Sequence, residues 1–270
     1  MRGRWIVLPL AAAGALGAVQ AFAARRFRAR GMALASQWEG DADEEGAASS
    51  VPEIVRRFAS RAAPATPVPL AIRLRQHGDM RANEGEAWLR FSAEQAIRVR
   101  APGFVWLARM RVAPLLAMHV LDAYDEGRGQ LEARFLGAVP ITQASGPAVD
   151  RGELMRYLAE LAWAPQAMLH NPHLRWRQLD AATVEVSAAS ADGPARVRLG
   201  FEAGDLRRIE ADDRPRTVGQ AVVPTRWYGR FGAYRTMAGV RIPTRAEVGW
   251  APQGRPFACW RGEITAYGVA

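Results

Sequence analysis

The chain predicts an α+β domain: a large antiparallel sheet of about a dozen strands, curved around one central helix. Three observations carry this. Segments in which apolar and charged residues alternate with period two recur on both sides of residue 150, and turn signals separate them. One stretch between those two series, residues 151–165, changes to helical period. A short N-terminal helix, preceded by a membrane segment, completes the plan. No interval of fixed length repeats, so a solenoid or propeller is not indicated.

Arg2 and Arg4 precede twenty residues without a charge, Trp5 to Ala24, enough to span a bilayer as a helix. Half of that run is alanine or glycine and Pro9 interrupts it, so its drive to insert is modest. Ala21-Phe22-Ala23 also fits a small-x-small cleavage site. Arg25, Arg26, Arg28 and Arg30 follow the run, and this excess over the two arginines before it leans the main domain toward the cytoplasm. The expected location is a bacterial inner membrane, reached through residues 5–24, with sidedness open.

Residues 31–50 hold Asp41, Asp43, Glu44 and Glu45 amid Gly, Ala and Ser, the composition of a flexible tether. A single domain over 51–270 is expected to follow. Ser50 before Val51-Pro52-Glu53 has capping-box spacing with proline in the first turn, which predicts a short helix through about Ser60. Its Ile54, Val55 and Phe58 would pack on the domain. In the segment from Ile72 to His77 the apolar and neutral residues share one parity, and Leu89, Phe91, Ala93, Gln95, Ile97 and Val99 repeat the pattern. Strands over 104–112, 118–125 and 130–139 follow, the last two joined by a hairpin turn at Glu126 to Gly129. Beyond the central helix, strands are expected over 174–179, 183–188, 195–203, 206–212, 222–234, 240–250 and 257–267. Pro243 implies that its strand is an edge or carries a bulge.

The formal charge of +9 includes six arginines in the first thirty residues, where no acid occurs, which leaves about +3 for the rest. The chain has no lysine, and neither a clustered basic face nor a nucleic-acid-binding module is legible, so no nucleic-acid partner is expected. Cys259 is alone, which excludes an intrachain disulfide and a paired-cysteine zinc site. It reads as a small buried hydrophobe. Of the four histidines, His170 and His173 flank Asn171-Pro172, and the proline prevents the helical spacing that would aim both at one metal. No metal or cofactor is expected. No nucleophile elbow, phosphate-binding glycine loop or His-Glu-x-x-His run is present either.

In the central helix, Asp150 can cap and Glu153 stands three residues on. Leu154, Leu158, Leu161, Ala162 and Pro165 fall on one side, while Glu153, Arg156, Tyr157, Glu160 and Trp163 fall on the other. A solvated face rarely carries both a tyrosine and a tryptophan. The pattern suits a helix lying in a curved sheet, with its second face lining a partly enclosed groove. Arg156 can reach Glu153 or Glu160. Trp227 and Trp260 join the candidate ligand-binding set because each sits beside arginine or tyrosine, a setting in which an arginine can stack on the indole. Arg214 of Asp212-Asp213-Arg214 joins it too, although an ion pair with its neighbouring acids is the plainer account. No catalytic residue is assigned.

The runs Arg73 to Gly78, Pro102 to Trp106, Arg151 to Trp163, Trp227 to Arg235 and Gly239 to Thr244 together resemble a bacterial family of unknown function (DUF6544/DUF6920-like). Its members often carry an N-terminal membrane segment. The resemblance covers roughly residues 50–268. Gly239 to Thr244, after Tyr234-Arg235, is also similar to the late strand of LolA-like and mycobacterial lipoprotein carriers, whose curved half-barrel wraps helices around an apolar cavity. That likeness implies a half-barrel, a site for acyl chains or another greasy ligand, and an extracytoplasmic domain, against the charge count. Three functions are therefore carried forward: a membrane-tethered binding module for a lipid-like or other apolar ligand, an envelope interaction protein with a filled core, and a hydrolase.

Overall fold

The computed structural model describes residues 7–40, 50–64, 67–114 and 116–269. Four helices appear among them, α1 (Val7–Ser36), α2 (Glu53–Ala62), α3 (Pro147–Glu160) and α4 (Ala167–His170). The first six strands are β1 (Ala71–Met80), β2 (Leu89–Arg98), β3 (Phe104–Ala113), β4 (Leu116–Asp125), β5 (Arg128–Phe135) and β6 (Val139–Ser145). After α3 and α4 come β7 (Arg175–Gln178), β8 (Thr183–Ala188), β9 (Ala195–Glu202), β10 (Asp205–Val218), β11 (Ala221–Met237), β12 (Val240–Trp250) and β13 (Phe257–Val269).

All thirteen strands form one antiparallel sheet, ordered β6-β5-β4-β3-β2-β1-β13-β12-β11-β10-β9-β8-β7. Two meanders thus meet where β1 pairs β13. α3 touches β4, β5 and β6 of one meander and β8, β9 and β10 of the other. A single helix can reach both arms only if the sheet bends around it, so the fold is a half-barrel with α3 in its hollow. Leu154, Met155, Tyr157, Leu158 and Leu161 are fully buried there. α2 adds Val55 and Phe58 to the same core, and Phe58 meets Phe201 and Tyr234 edge to face.

Several sequence expectations change. The strand expected over 130–139 is two: β5 ends at Phe135, and Leu136 and Gly137 turn the chain at positive φ into β6. Almost all of β6 is exposed, so no buried face imposed an alternation that could be read. α2 begins at Glu53 after Pro52, with no side-chain cap from Ser50. α3 begins at Pro147, four residues before the expected start, because proline fits the first turn and Gly146 supplies the entry. Asp150 lies inside that first turn instead of capping it, and its Oδ1 accepts the Gly129 N–H at 2.7 Å. Pro243 sits in β12 opposite Tyr234 of β11, before the ladder with β13 begins at Arg245, so at this point the strand is an edge, as expected.

The N-terminal expectation needs the largest correction. Residues 1–6 and 41–49 lie outside the described residues, including the first two of the expected span. From Val7 the chain is one helix to Ser36, twelve residues past the expected end. No helix among the described residues is long and apolar enough to cross a membrane. The second half of α1 lies on the outer face of the sheet instead: Phe27, Ala35 and Trp38 are buried with Val105, Leu107, Leu121 and Ala123 of β3 and β4. The arginines read as a membrane flank find protein partners, Arg28 on Glu94 and Arg30 on Glu132. The first half of the expected tether is packed instead, since α1 runs to Ser36 and a 3-10 turn (Gln37–Gly40) buries Trp38, whose indole N–H donates to Asp125 at 3.1 Å.

Candidate functional site

A cavity of about 460 Å³ lies between α3 and the inner face of the sheet. That is within the usual range for small-molecule sites, about 300–1,000 Å³. Its aromatic surface comes from Trp106, Trp163, Trp227, Phe231, Trp250 and Trp260. α3 supplies the opposite wall with Glu153, Arg156 and Glu160, one helical turn apart on one side.

Arg156 is the hub of that wall. Its Nε donates to Glu160 at 2.8 Å, its Nη1 donates to Asp122 of β4, and its guanidinium lies over Phe104 and Trp106, 4.6 and 5.2 Å from the ring centroids. Glu160 also accepts from Gln95 Nε2 at 2.5 Å, and Gln76 Nε2 donates to Gln95 Oε1 at 2.7 Å. Burial pushes the Glu160 carboxyl above its ordinary range although Arg156 opposes the shift. Glu153 goes further: burial, then the neighbouring Asp122, lift it to about 8 against the pull of Arg214 and Arg156. A carboxyl raised that far holds its proton at neutral pH.

Arg214 closes the cavity from β10. Its Nη2 is 3.7 Å from Glu153, its Nε donates to the Gly152 carbonyl at 3.1 Å, and its guanidinium stacks 4.4 Å from Trp227 and 5.4 Å from Trp250. Two bulges put it there. Ala211 pairs with Trp227 and Arg214 with Thr225, so two residues of β10 oppose one of β11, and an earlier slip follows Leu206. Strict alternation from Ala211 would turn Asp213 inward; the bulge turns Arg214 inward instead. Asp212 and Asp213 face out to Arg198 and Arg151, which replaces the expected ion pair with Arg214.

Glu153, Arg156, Glu160, Trp163, Arg214, Trp227 and Trp260 therefore surround one cavity. Tyr157 does not join them. It is fully buried away from the cavity, donating to the Arg98 carbonyl at 3.1 Å and accepting from Asn171 at 2.8 Å. The helix has no wet face on which to place it, because the sheet covers both sides. Trp163 is anchored by its indole N–H on the Pro243 carbonyl at 2.9 Å, and the Tyr267 hydroxyl donates to its carbonyl at 3.0 Å. Cys259 also lines the cavity, and burial raises its thiol.

The model of a family of unknown function, DUF6544, matches residues 41–262. The chain belongs to the DUF6544 family. No curated protein matches its sequence. Among solved structures, this DUF6544 chain is similar to a LolA superfamily protein from Nitrosomonas europaea, at 13% identity and a TM-score of 0.45, over 83% of this chain and 94% of that one. It is also similar to a putative outer membrane lipoprotein-sorting protein domain from Vibrio parahaemolyticus, at 8% identity and a TM-score of 0.46, over 80% and 91% of the two chains. A DUF1329 family protein from Desulfovibrio piger shows 10% identity and a TM-score of 0.46, over 81% and 92%.

Sequence reading missed Asp122, Gln76 and Trp250 as cavity residues. Gln76 carried a usable signal, since it shares parity with Ile72 and Leu74 of the dry face. Asp122 did not. Its strand is buried on both faces, by the cavity side at Val120 and Tyr124 and by the α1 side at Leu121 and Ala123. The alternation that would mark an inward acid is therefore absent.

Proposed function

We propose that this chain is a binding module that holds an amphiphilic, mainly apolar ligand in the cavity between α3 and the curved sheet. The observation that carries the reading is the cavity itself: a tryptophan-rich surface with a few charged groups, Glu153, Arg156 and Glu160 on α3 and Asp122, Arg214 and Arg216 on the sheet. Such a surface takes the apolar part of a ligand, and a few placed polar groups fix its orientation. A filled core without ligand is the weaker reading, because close-packed interiors rarely leave voids larger than a water molecule. A hydrolase built on Glu160 is weaker still, since both its oxygens are engaged, one by Arg156 and one by Gln95. Native mass spectrometry and solvent extraction of the purified full chain test the proposal. A stoichiometric small amphiphile is the expected result; a chain that is empty by both methods, and that binds no alkyl compound added afterwards, contradicts it.

A further inference from the structure

We infer that the polar end of this amphiphile is a cation, an ammonium head seated between Asp122 and Glu153 while its chain lies against the tryptophans. The inference rests on the binding function proposed above and names its ligand class. Two carboxylate oxygens in the cavity, Asp122 Oδ1 and Glu153 Oε2, have no donor from the protein, and the two neighbouring carboxyls can bond each other only through a proton that Glu153 holds. They come from β4 and α3, and Asp122 is only 9% exposed. Buried acceptors left unsatisfied are costly, so the place calls for a donor.

The cationic donors nearby are committed. Arg156 is engaged by Glu160 and Asp122 and lies on two aromatic rings. Arg214 donates to the Gly152 carbonyl and stacks on two indoles. Arg216, also on β10, stacks on Trp250 and Phe257 and donates to Asn83, and makes no ion pair with the three carboxyls. Asp122, Glu153 and Glu160 thus share two guanidiniums at ion-pair distance, those of Arg156 and Arg214, while the third cation of the lining, Arg216, pairs with none of them. A buried excess charge is expensive unless a proton or a counter-ion removes it. A proton held by Glu153 meets this need in the empty cavity, and an ammonium head would replace that proton. A carboxylate head would instead add a fourth negative charge. The indole N–H groups of Trp106 and Trp227, also without partners, can meet an acceptor atom beside the ammonium, and the tryptophan faces themselves favour a cation.

Calorimetry on the full chain at pH 7, with dodecylamine, dodecanol and dodecanoate below their aggregation concentrations, tests this. The amine is expected to bind about ten-fold tighter than either other probe, with release of a proton that is read from the buffer dependence of the heat. Asp122→Asn and Glu153→Gln are each expected to lower the amine affinity about ten-fold and to leave dodecanol nearly unchanged. Both replacements preserve shape, and a thermal melt of each checks the fold. Equal affinity for the three probes, or a preference for dodecanoate, overturns the cationic head while the binding function stands. Failure of all three to bind overturns both.

Discussion

Glu153 turns a buried carboxyl into a measurable pH dependence. Its folded value of about 8 stands above the ordinary 4.5. Below about pH 4.5 the folded and unfolded chains both carry the proton; between there and about 8 the unfolded chain has released it while the folded chain holds it. Folding stability conferred by this group is therefore lost as pH rises through that window. Glu153→Gln should flatten the fall in Tm between pH 5 and pH 9, and parallel curves for the two proteins would show that the carboxyl is not held in this way. At this scale the sequence revealed side-chain chemistry better than side-chain direction. The mixed face of residues 153–163 was visible, and so was the stacking of arginine on indole. Tyr157 shares that face in the helical period yet does not line the cavity, because the period cannot show which strand packs on each part of the face.

At the scale of elements, α3 is held against β5 by a close approach at its N-terminus. A β-carbon added at Gly129 would stand 2.7 Å from the Val149 carbonyl oxygen and 2.9 Å from its carbon. Gly129→Ala should therefore cost about 1–3 kcal/mol in denaturant unfolding, as overpacking does, and a neutral result would mean that α3 is not docked there. The 3-10 turn that follows α1 offers a second test. Trp38→Ala should cost about 3–5 kcal/mol, the range for deleting a buried large aromatic, where a residue in a mobile tether would cost nothing. The composition around residues 31–40 concealed this packing: its small residues and glycine look like a linker, and only the sheet's outer face gives Ala35 and Trp38 something to lie on. The bulges of β10 were hidden for a related reason. They set the inward residues at Leu206, Ile209, Ala211 and Arg214, a spacing that no strict alternation produces.

For the whole molecule, the alternating segments and their turns were enough to read a large antiparallel sheet with one helix in its hollow. Bending could be inferred from the helix alone, because a rod with two non-solvated faces needs a surface that wraps it. Strand order could not: the meeting of the two meanders through β1 and β13 joins residues nearly 200 apart in the chain, and each local pattern is compatible with other neighbours. The same meeting bends the sheet so that Asp122 of β4 and Arg214 of β10 face one cavity, and there the site depends on the fold as a whole. The most direct test places a heavy atom in that hollow. Crystals of the full chain grown with 12-bromododecylamine should show the bromine anomalous peak inside the half-barrel, against the indoles of Trp227, Trp250 or Trp260. A peak confined to the outer face of the sheet, or no ordered peak at saturating ligand, would contradict the account.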